Sequence, residues 1–331
     1  MPIKEKQGRI PVFFYPPHPP PLGGARGGNK PQTLTMSYED FIDYLKYEKR
    51  VSPHTVTAYE NDMSQFFSFL EEKLEINQLQ DVHTEDIRTW IISLLEDESL
   101  QAKSVNRKIS AVRAFYRYKL KIKELKVNPT LSIHAPKIPK KLPQYVDQKD
   151  MEHLFADIPF EESFEGLRDR TILELFYATG MRLSELLNIK VQDIHLQENT
   201  VKVLGKRNKE RVIPFGNRLE ELLTLYLENL QKKFCEGTEN NYIFVTANGK
   251  QLYPKAVYRI VRKYLDMVTT IDKRSPHVIR HTFATHLLNK GADLNAIKTI
   301  LGHSSLAATQ VYTHNSIEQL KSIYKQAHPR A

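Results

Sequence analysis

Cysteine is nearly absent from this sequence, and long apolar runs are absent altogether. The single cysteine, Cys235, has no partner for an intrachain disulfide or for a zinc-binding CxxC pair. No stretch approaches the roughly 18 apolar residues that a membrane-spanning helix needs. We therefore expect a protein of the reducing cytoplasm that makes no contact with a membrane.

Acidic residues are outnumbered by basic ones. The 331 residues include 48 Lys and Arg but only 39 Asp and Glu, a formal net charge of +9, and 40% of the chain is apolar. This length and apolar content predict two domains, each with its own core. The positive charge favours a polyanionic partner such as nucleic acid or an acidic membrane surface, and of these we expect nucleic acid.

The first 35 residues lack any pattern of helix or strand. They hold eight of the chain's 18 prolines and five of its 13 glycines, and their apolar run from Val12 to Tyr15 is too short for a signal peptide. This composition predicts a disordered arm with polyproline character. Because Met36 follows directly, an upstream start codon read in error is the alternative interpretation.

Residues 36–133 are predicted to form an N-terminal helical DNA-binding domain. Four segments repeat apolar residues at three-to-four spacing, which is typical of helices that pack as a bundle. Each segment begins near a Ser or Thr that we expect to cap its helix, namely Ser37, Ser52, Thr84 and Ser104.

The positive charge of this domain is concentrated near its end. Residues 36–102 carry five Lys and Arg against 15 Asp and Glu, whereas residues 103–143 carry 12 against one. The fourth helix has an apolar stripe formed by Val105, Ile109, Val112, Tyr116 and Leu120. Prolines and lysines in residues 134–146 predict an extended basic linker. A solvated basic face is the alternative, but we expect DNA contacts from Arg107, Arg113, Arg117, Lys137 and Lys140.

Residues 147–331 are predicted to form a second, mostly helical domain. Asn199 to Phe215 alternate apolar and polar residues around a Gly-Lys-Arg-Asn-Lys turn, which is typical of a β-hairpin. Asn241 to Val245 are expected to add a third strand. The predicted fold class is therefore mostly α (α+β), with a small three-stranded antiparallel sheet.

Two histidines four residues apart, His277 and His281, raise the question of a metal site. A zinc-binding pair of this spacing needs a neighbouring carboxylate and a third ligand, but apolar residues stand between them and Arg280 would repel a cation. An anion explains these residues better, because Pro276 begins the helix and places His277 at the positive end of its dipole. We expect no metal ion and no cofactor.

Four more residues suited to an anionic substrate are spread along this domain. Arg182 follows the Thr179-Gly180 break between two helical segments, and Lys206 follows a glycine at the hairpin turn. His303 comes after Gly302 at a predicted helix end, and Tyr312 lies nine residues later.

Five stretches in a fixed order, ATGMRLSELLNI, GKRNKERVIP, HVIRHTFATHLL, LGHSSLAATQVYTH and HPRA, resemble the tyrosine recombinase (phage integrase) family, specifically its Xer branch. The resemblance covers nearly everything after residue 35. It implies a SAM-like core-binding domain before the catalytic domain, and a C-terminal helix exchanged around a ring of four protomers. It also implies catalytic roles for six residues: Arg182 and Arg280 on the scissile phosphate, Lys206 as general acid, His277 and His303 in phosphate binding and proton transfer, and Tyr312 as nucleophile.

These residue types suit phosphodiester exchange without ATP or metal, because one ester replaces another. We expect a site-specific recombinase that forms a 3′-phosphotyrosine and a four-way junction on double-stranded DNA, most simply for chromosome dimer resolution. It would act as a homo- or hetero-tetramer, with a septal DNA translocase as a further candidate partner. The alternatives are an integrase or invertase of a mobile or phase-variable element, a type IB topoisomerase, and a catalytically silent DNA-binding module.

Other side chains carry weaker signals. Glu185 has two open interpretations, since it either holds Arg182 in place or only supports its helix. His281 and His286 are expected to be structural histidines that pack or hydrogen-bond. Further DNA contacts are expected from four basic residues, Lys209, Arg211, Arg259 and Arg262.

Overall fold

The computed structural model of the protein divides into two compact units, with the division between residues 140 and 141. The structure describes residues 36–97, 99–138, 143–205, 209–235, 237–302 and 314–330. Within these ranges, residues 240 and 314–320 are described by their backbone alone. The predicted arm of residues 1–35 lies outside the described residues.

The first unit is a small helical bundle. Its helices are α1 (Glu39–Asp43, continued by a π-helical turn over Tyr44–Glu48), α2 (Pro53–Leu74), α3 (Thr84–Glu96) and α4 (Ala102–Lys121). All four predicted helical segments are confirmed.

The N-capping residue was predicted correctly for only one helix of this unit. Ser52 caps α2, and its side chain accepts a hydrogen bond from the Thr55 backbone N–H at 3.2 Å. The cap predictions at the other three helices are wrong, because the N-cap positions fall at Tyr38, His83 and Gln101. Helix ends depend on local hydrogen bonds as well as on residue type: at α3, the Asp86 side chain accepts from the His83 backbone N–H at 2.7 Å.

Aromatic rings fill the core of the first unit. The Phe66 and Trp90 ring centroids lie 4.8 Å apart, and Phe41 meets Phe115 edge-on at 5.6 Å. The apolar stripe of α4 faces this core: Val105, Ile109, Val112 and Tyr116 are buried, and Leu120 is half-buried. Of the basic residues of α4, Lys108 and Lys119 are buried, whereas Arg107 and Arg117 are exposed.

The second unit contains most of the helices. They are α5 (Gln148–Ala156), α6 (Phe164–Thr179), α7 (Leu183–Leu187), α8 (Asn217–Lys233), α9 (Pro254–Leu265), α10 (Pro276–Asn289), α11 (Leu294–Leu301) and α12 (His314–Ala327). Helix α6 is buried on nearly all its faces and packs against α8 and α10, so it is the centre of this unit. Within the described residues, no helix is long and apolar enough to cross a membrane.

The three-stranded sheet has the order β1-β2-β3 and is antiparallel throughout. Strands β2 (Thr200–Leu204) and β3 (Glu210–Pro214) form the predicted hairpin, with Val203 opposite Arg211. The third strand is β1 (Ile194–His195), so the prediction that Asn241 to Val245 supply it is wrong. That apolar run owes its pattern to burial in the core, and only isolated bridges pair it with other backbone.

The C-terminal tail packs onto its own unit. Tyr324, Ala327 and His328 are buried, and the Tyr324 and His328 rings stack at 4.6 Å. His328 Nε2 donates to the Tyr177 carbonyl oxygen at 3.0 Å, and Arg330 forms an ion pair with Glu174. Exchange of this tail between protomers stays a prediction.

Candidate active site

Three arginine side chains from distant parts of the second unit converge on the end of α11. The last carbonyls of a helix have no intrahelical partner and carry the negative end of its dipole, so they attract cationic donors. Each of three consecutive carbonyl oxygens accepts from a different guanidinium group: Ile300 from Arg211 Nε at 2.8 Å, Leu301 from Arg280 Nη2 at 2.7 Å, and Gly302 from Arg182 Nη2 at 3.0 Å.

Arg182 is positioned at the N-cap of α7. Gly180 ends α6 in a left-handed conformation (φ +59°), and this reversal brings Arg182 to the start of the next helix. The Glu185 carboxylate accepts from the Arg182 backbone N–H and from its Nη1, both at 2.7 Å. Of the two interpretations of Glu185, the structure therefore supports the one in which it holds Arg182.

Arg280 projects from α10 and is buried. Its Nη1 donates to the Gly180 carbonyl oxygen at 2.6 Å, which ties α10 to the end of α6 as well as to α11. Burial, together with the charges of Arg182 and Arg211, lowers the pKa of Arg280 to about 10. The guanidinium group still carries its charge at neutral pH.

Arg211 corrects a prediction. It was expected to contact DNA, but its residue is only 5% exposed, and its Nη1 and Nη2 donate to the two Glu185 carboxylate oxygens at 2.6 and 2.8 Å. Burial would raise the pKa of Glu185, but hydrogen bonds and charge from Arg211, and then from Arg182, lower it to about 2. Strand periodicity contained the missed signal, because Arg211 lies two residues from the buried Ile213 and shares its face of β3.

The remaining predicted catalytic residues fall in two groups. His277 is exposed in the first turn of α10, after Pro276 as predicted. Lys206, His303 and Tyr312 lie outside the described residues, although Lys206 follows Gly205 and His303 follows Gly302 in the sequence.

The other two histidines of α10 differ from each other. His286 is buried and its Nδ1 lies 2.8 Å from the Tyr177 hydroxyl, as expected of a structural histidine. His281 is exposed, so it does not pack in the core, and a structural hydrogen bond from this residue stays a prediction. Among the described residues, no three or more His, Cys, Asp or Glu side chains are grouped to hold a metal ion.

Most of the basic residues predicted to bind DNA on α4 and α9 are exposed, whereas Arg113 is half-buried. On α4, Arg117 is exposed, Arg107 pairs with the buried Asp62, and Arg113 donates to the Ile133 carbonyl oxygen. Arg259 and Arg262 are exposed on α9. Lys137 and Lys209 are exposed as well, whereas Lys140 lies outside the described residues. DNA contact by these residues stays a prediction.

Arg182 and Arg280 both donate to the end of α11, and guanidinium groups brought together in this way are suited to binding an anion. Residues 144–319 match the Phage integrase family, and residues 38–123 match the Phage integrase N-terminal SAM-like domain. The chain belongs to the phage integrase family and is a site-specific recombinase of the tyrosine recombinase type.

Curated relatives extend over nearly the whole chain. A tyrosine recombinase XerC from Chlorobaculum parvum is 38% identical over 317 residues, covering 88% of this chain and 94% of the relative. A tyrosine recombinase XerC from Staphylococcus aureus is 41% identical over 293 residues, covering 88% and 96%.

Solved structures share the fold at lower identity. The Tn1549 transposon integrase in complex with transposon right-end DNA has a TM-score of 0.67 and 18% identity, covering 86% of this chain and 98% of that one. The XerH recombinase bound to a palindromic difH substrate has a TM-score of 0.65 and 21% identity, covering 86% and 83%.

Proposed function

We propose that the protein exchanges strands between two copies of a specific DNA site, through a 3′-phosphotyrosine on Tyr312 and a four-way junction. The observation that carries this proposal is the convergence of Arg182 and Arg280 on the end of α11. His303 follows that helix end directly in the sequence, and Tyr312 is nine residues further along.

The chemistry follows from the charge of a phosphodiester. Arg182 and Arg280 neutralise the charge that develops on the non-bridging oxygens as the Tyr312 oxygen attacks phosphorus. A phenol has a pKa of about 10, so cationic neighbours promote its loss of a proton while keeping their own charge. Lys206 gives a proton to the departing 5′ oxygen, and His277 and His303 assist phosphate binding and proton transfer. The bond to tyrosine is an ester like the bond that broke, so rejoining needs no added energy source.

The biological role that we propose is resolution of chromosome dimers. We propose this role because the resemblance to the Xer branch implies it, and the curated relatives at about 40% identity over most of the chain carry the name XerC. Four protomers, identical or with a paralogue, would bind two sites, and a septal DNA translocase is a further candidate partner. The exposed basic faces of α4 and α9 are proposed to bind the duplex.

The test begins with a Tyr312→Phe variant, which is expected to bind DNA but not to cleave it. This variant selects duplexes from a random-sequence library, and the selected site is then labelled at either end of one strand and offered to the wild-type protein. A labelled adduct that migrates with the protein on a denaturing gel is expected only when the 3′-phosphate fragment carries the label. An adduct formed by Tyr312→Phe would disprove the assignment of the nucleophile.

Two plasmid assays separate the alternatives. A plasmid with two directly repeated selected sites should yield two smaller circles, as dimer resolution requires, and strand exchange that occurs only between inverted sites would favour an invertase. Relaxation of a supercoiled plasmid that lacks the site would favour a type IB topoisomerase.

A further inference from the structure

Arg211 is buried at the point where three segments of the catalytic unit meet. It lies on β3, at the base of the hairpin, where Gly205 donates its backbone N–H to the Lys209 carbonyl oxygen at 2.8 Å. A Cβ added to Gly205 would lie 3.5 Å from Arg211 Nη1 and 3.6 Å from Glu185 Oε1. The base of the hairpin therefore rests directly on the Arg211–Glu185 ion pair.

The same guanidinium group contacts the end of α11. Its Nε donates to the Ile300 carbonyl oxygen, and Gly302, in a left-handed conformation (φ +65°), lies against the guanidinium plane. A Cβ on Gly302 would lie 3.2 Å from both Arg211 Cδ and Nη1. The backbone that leads into His303 is thus placed by contact with Arg211.

Glu185 is shared between two arginines. Its Oε1 accepts from both Arg182 Nη1 and Arg211 Nη1, and its Oε2 accepts from the Arg182 backbone N–H and from Arg211 Nη2. Arg211 engages both carboxylate oxygens, whereas the Arg182 side chain engages one. Since a carboxylate prefers a two-point contact with one guanidinium plane, removal of Arg211 would leave Glu185 to pair with Arg182 alone.

We infer that Arg211 is a positioning residue. It binds Glu185 and the end of α11, so that the Arg182 guanidinium group stays oriented toward the scissile phosphate and its charge is not neutralised by Glu185. Each of the three Arg211 nitrogens donates within the protein, so we assign Arg211 to the support of Arg182 and not to contact with the phosphate. This inference rests on the proposed cleavage reaction and assigns a residue to its support.

The test compares Arg211→Lys and Arg211→Met with Lys202→Met, which removes one cation from the neighbouring strand without touching the arginine cluster. Single-turnover cleavage of the selected site is expected to fall roughly 100-fold in both Arg211 variants, because displacement of a reacting group by about 1 Å has an effect of that size. DNA affinity should stay within about threefold of the wild-type value, and Lys202→Met should cleave normally. Cleavage by both Arg211 variants at the wild-type rate would overturn the inference.

Two further measurements distinguish positioning from simple loss of structure. Adding Glu185→Gln to Arg211→Met removes the carboxylate that would otherwise neutralise Arg182, so the double variant should cleave at least several-fold faster than Arg211→Met. A double variant slower than both single variants would contradict the inference.

The second measurement uses a DNA in which sulfur replaces the bridging 5′ oxygen. A thiolate leaves without a proton because thiol pKa values are near 8.5, so this substrate should rescue a Lys206→Ala variant but not an Arg211 variant. If this substrate restored the wild-type rate in Arg211→Lys, Arg211 would support the hairpin residue Lys206 and not Arg182, and the inference would be wrong. If the wild-type protein forms no adduct with either DNA, the proposed function fails instead.

Discussion

The ion pair between Arg330 and Glu174 gives a stability prediction that also tests where the C-terminal tail docks. Arg330 Nε lies 2.9 Å from Glu174 Oε2, both side chains are less than a tenth exposed, and the guanidinium group stacks 4.5 Å from the Phe155 ring centroid. Replacing Arg330 with Met leaves the carboxyl group buried without its cation. Burial already raises the pKa of Glu174, so this group would respond by taking up a proton.

The size of the effect follows from that response. Breaking a buried ion pair from one side costs about 3–5 kcal/mol, and protonation of Glu174 places Arg330→Met near the lower end, at about 3 kcal/mol. For a unit of this size the thermal midpoint should fall by about 6–12 °C. Lys263→Met is the matched control, because it removes an exposed ion pair with Glu161 and should change stability by less than about 1 kcal/mol.

Thermal unfolding followed by circular dichroism, at two protein concentrations tenfold apart, measures this effect. Because the tail packs onto its own unit, the wild-type midpoint should not depend on concentration. The reasoning fails if Arg330→Met melts within about 1 °C of the wild-type protein. A wild-type midpoint that rises with concentration, and loses that rise in Arg330→Met, would place the pair between protomers, as tail exchange requires.

Gly180, His328 and Arg117 give three further tests. Gly180→Ala should destabilise the second unit by about 3 kcal/mol in a urea titration, because the position has a positive φ and its Cβ would lie 2.3 Å from the Phe283 ring. An unchanged urea midpoint would contradict the left-handed chain reversal at the end of α6. Burial lowers the pKa of His328 to about 3, so the stability that its neutral form contributes is present above about pH 6.5 and falls by roughly 2 kcal/mol at pH 5, as the pH drops toward 3. The slope of thermal midpoint against pH between pH 5 and 7 should therefore be shallower in His328→Gln than in the wild-type protein. An equal slope would argue against a buried neutral ring. The logarithm of affinity for the selected DNA falls as the logarithm of salt concentration rises, and Arg117→Gln should make this slope less steep by about 1. Lys73→Gln, in the acidic part of the first unit, should leave the slope unchanged.

Local patterns predicted most of the elements, and they failed at three helix caps and at one strand. The apolar stripe of α4 is a repeat within one helix, so its burial was visible in the sequence. Asn241 to Val245 have the composition of a strand, but whether a strand joins a sheet depends on which backbone lies beside it. In the structure, the third strand of the sheet is Ile194–His195.

The candidate catalytic residue types and their order were visible in the sequence, because the motifs are contiguous and a phosphodiester requires cations and a nucleophile. The tertiary structure alone decided which cations are available to a substrate. Arg182 and Arg211 carry the same guanidinium group, yet Arg182 is partly exposed, whereas Arg211 is enclosed by Glu185 and the end of α11, residues that are 26 and 89 positions away from Arg211. Burial and pairing across such separations arise only when the chain packs, and they determine whether a charge is open to solvent or held within the protein.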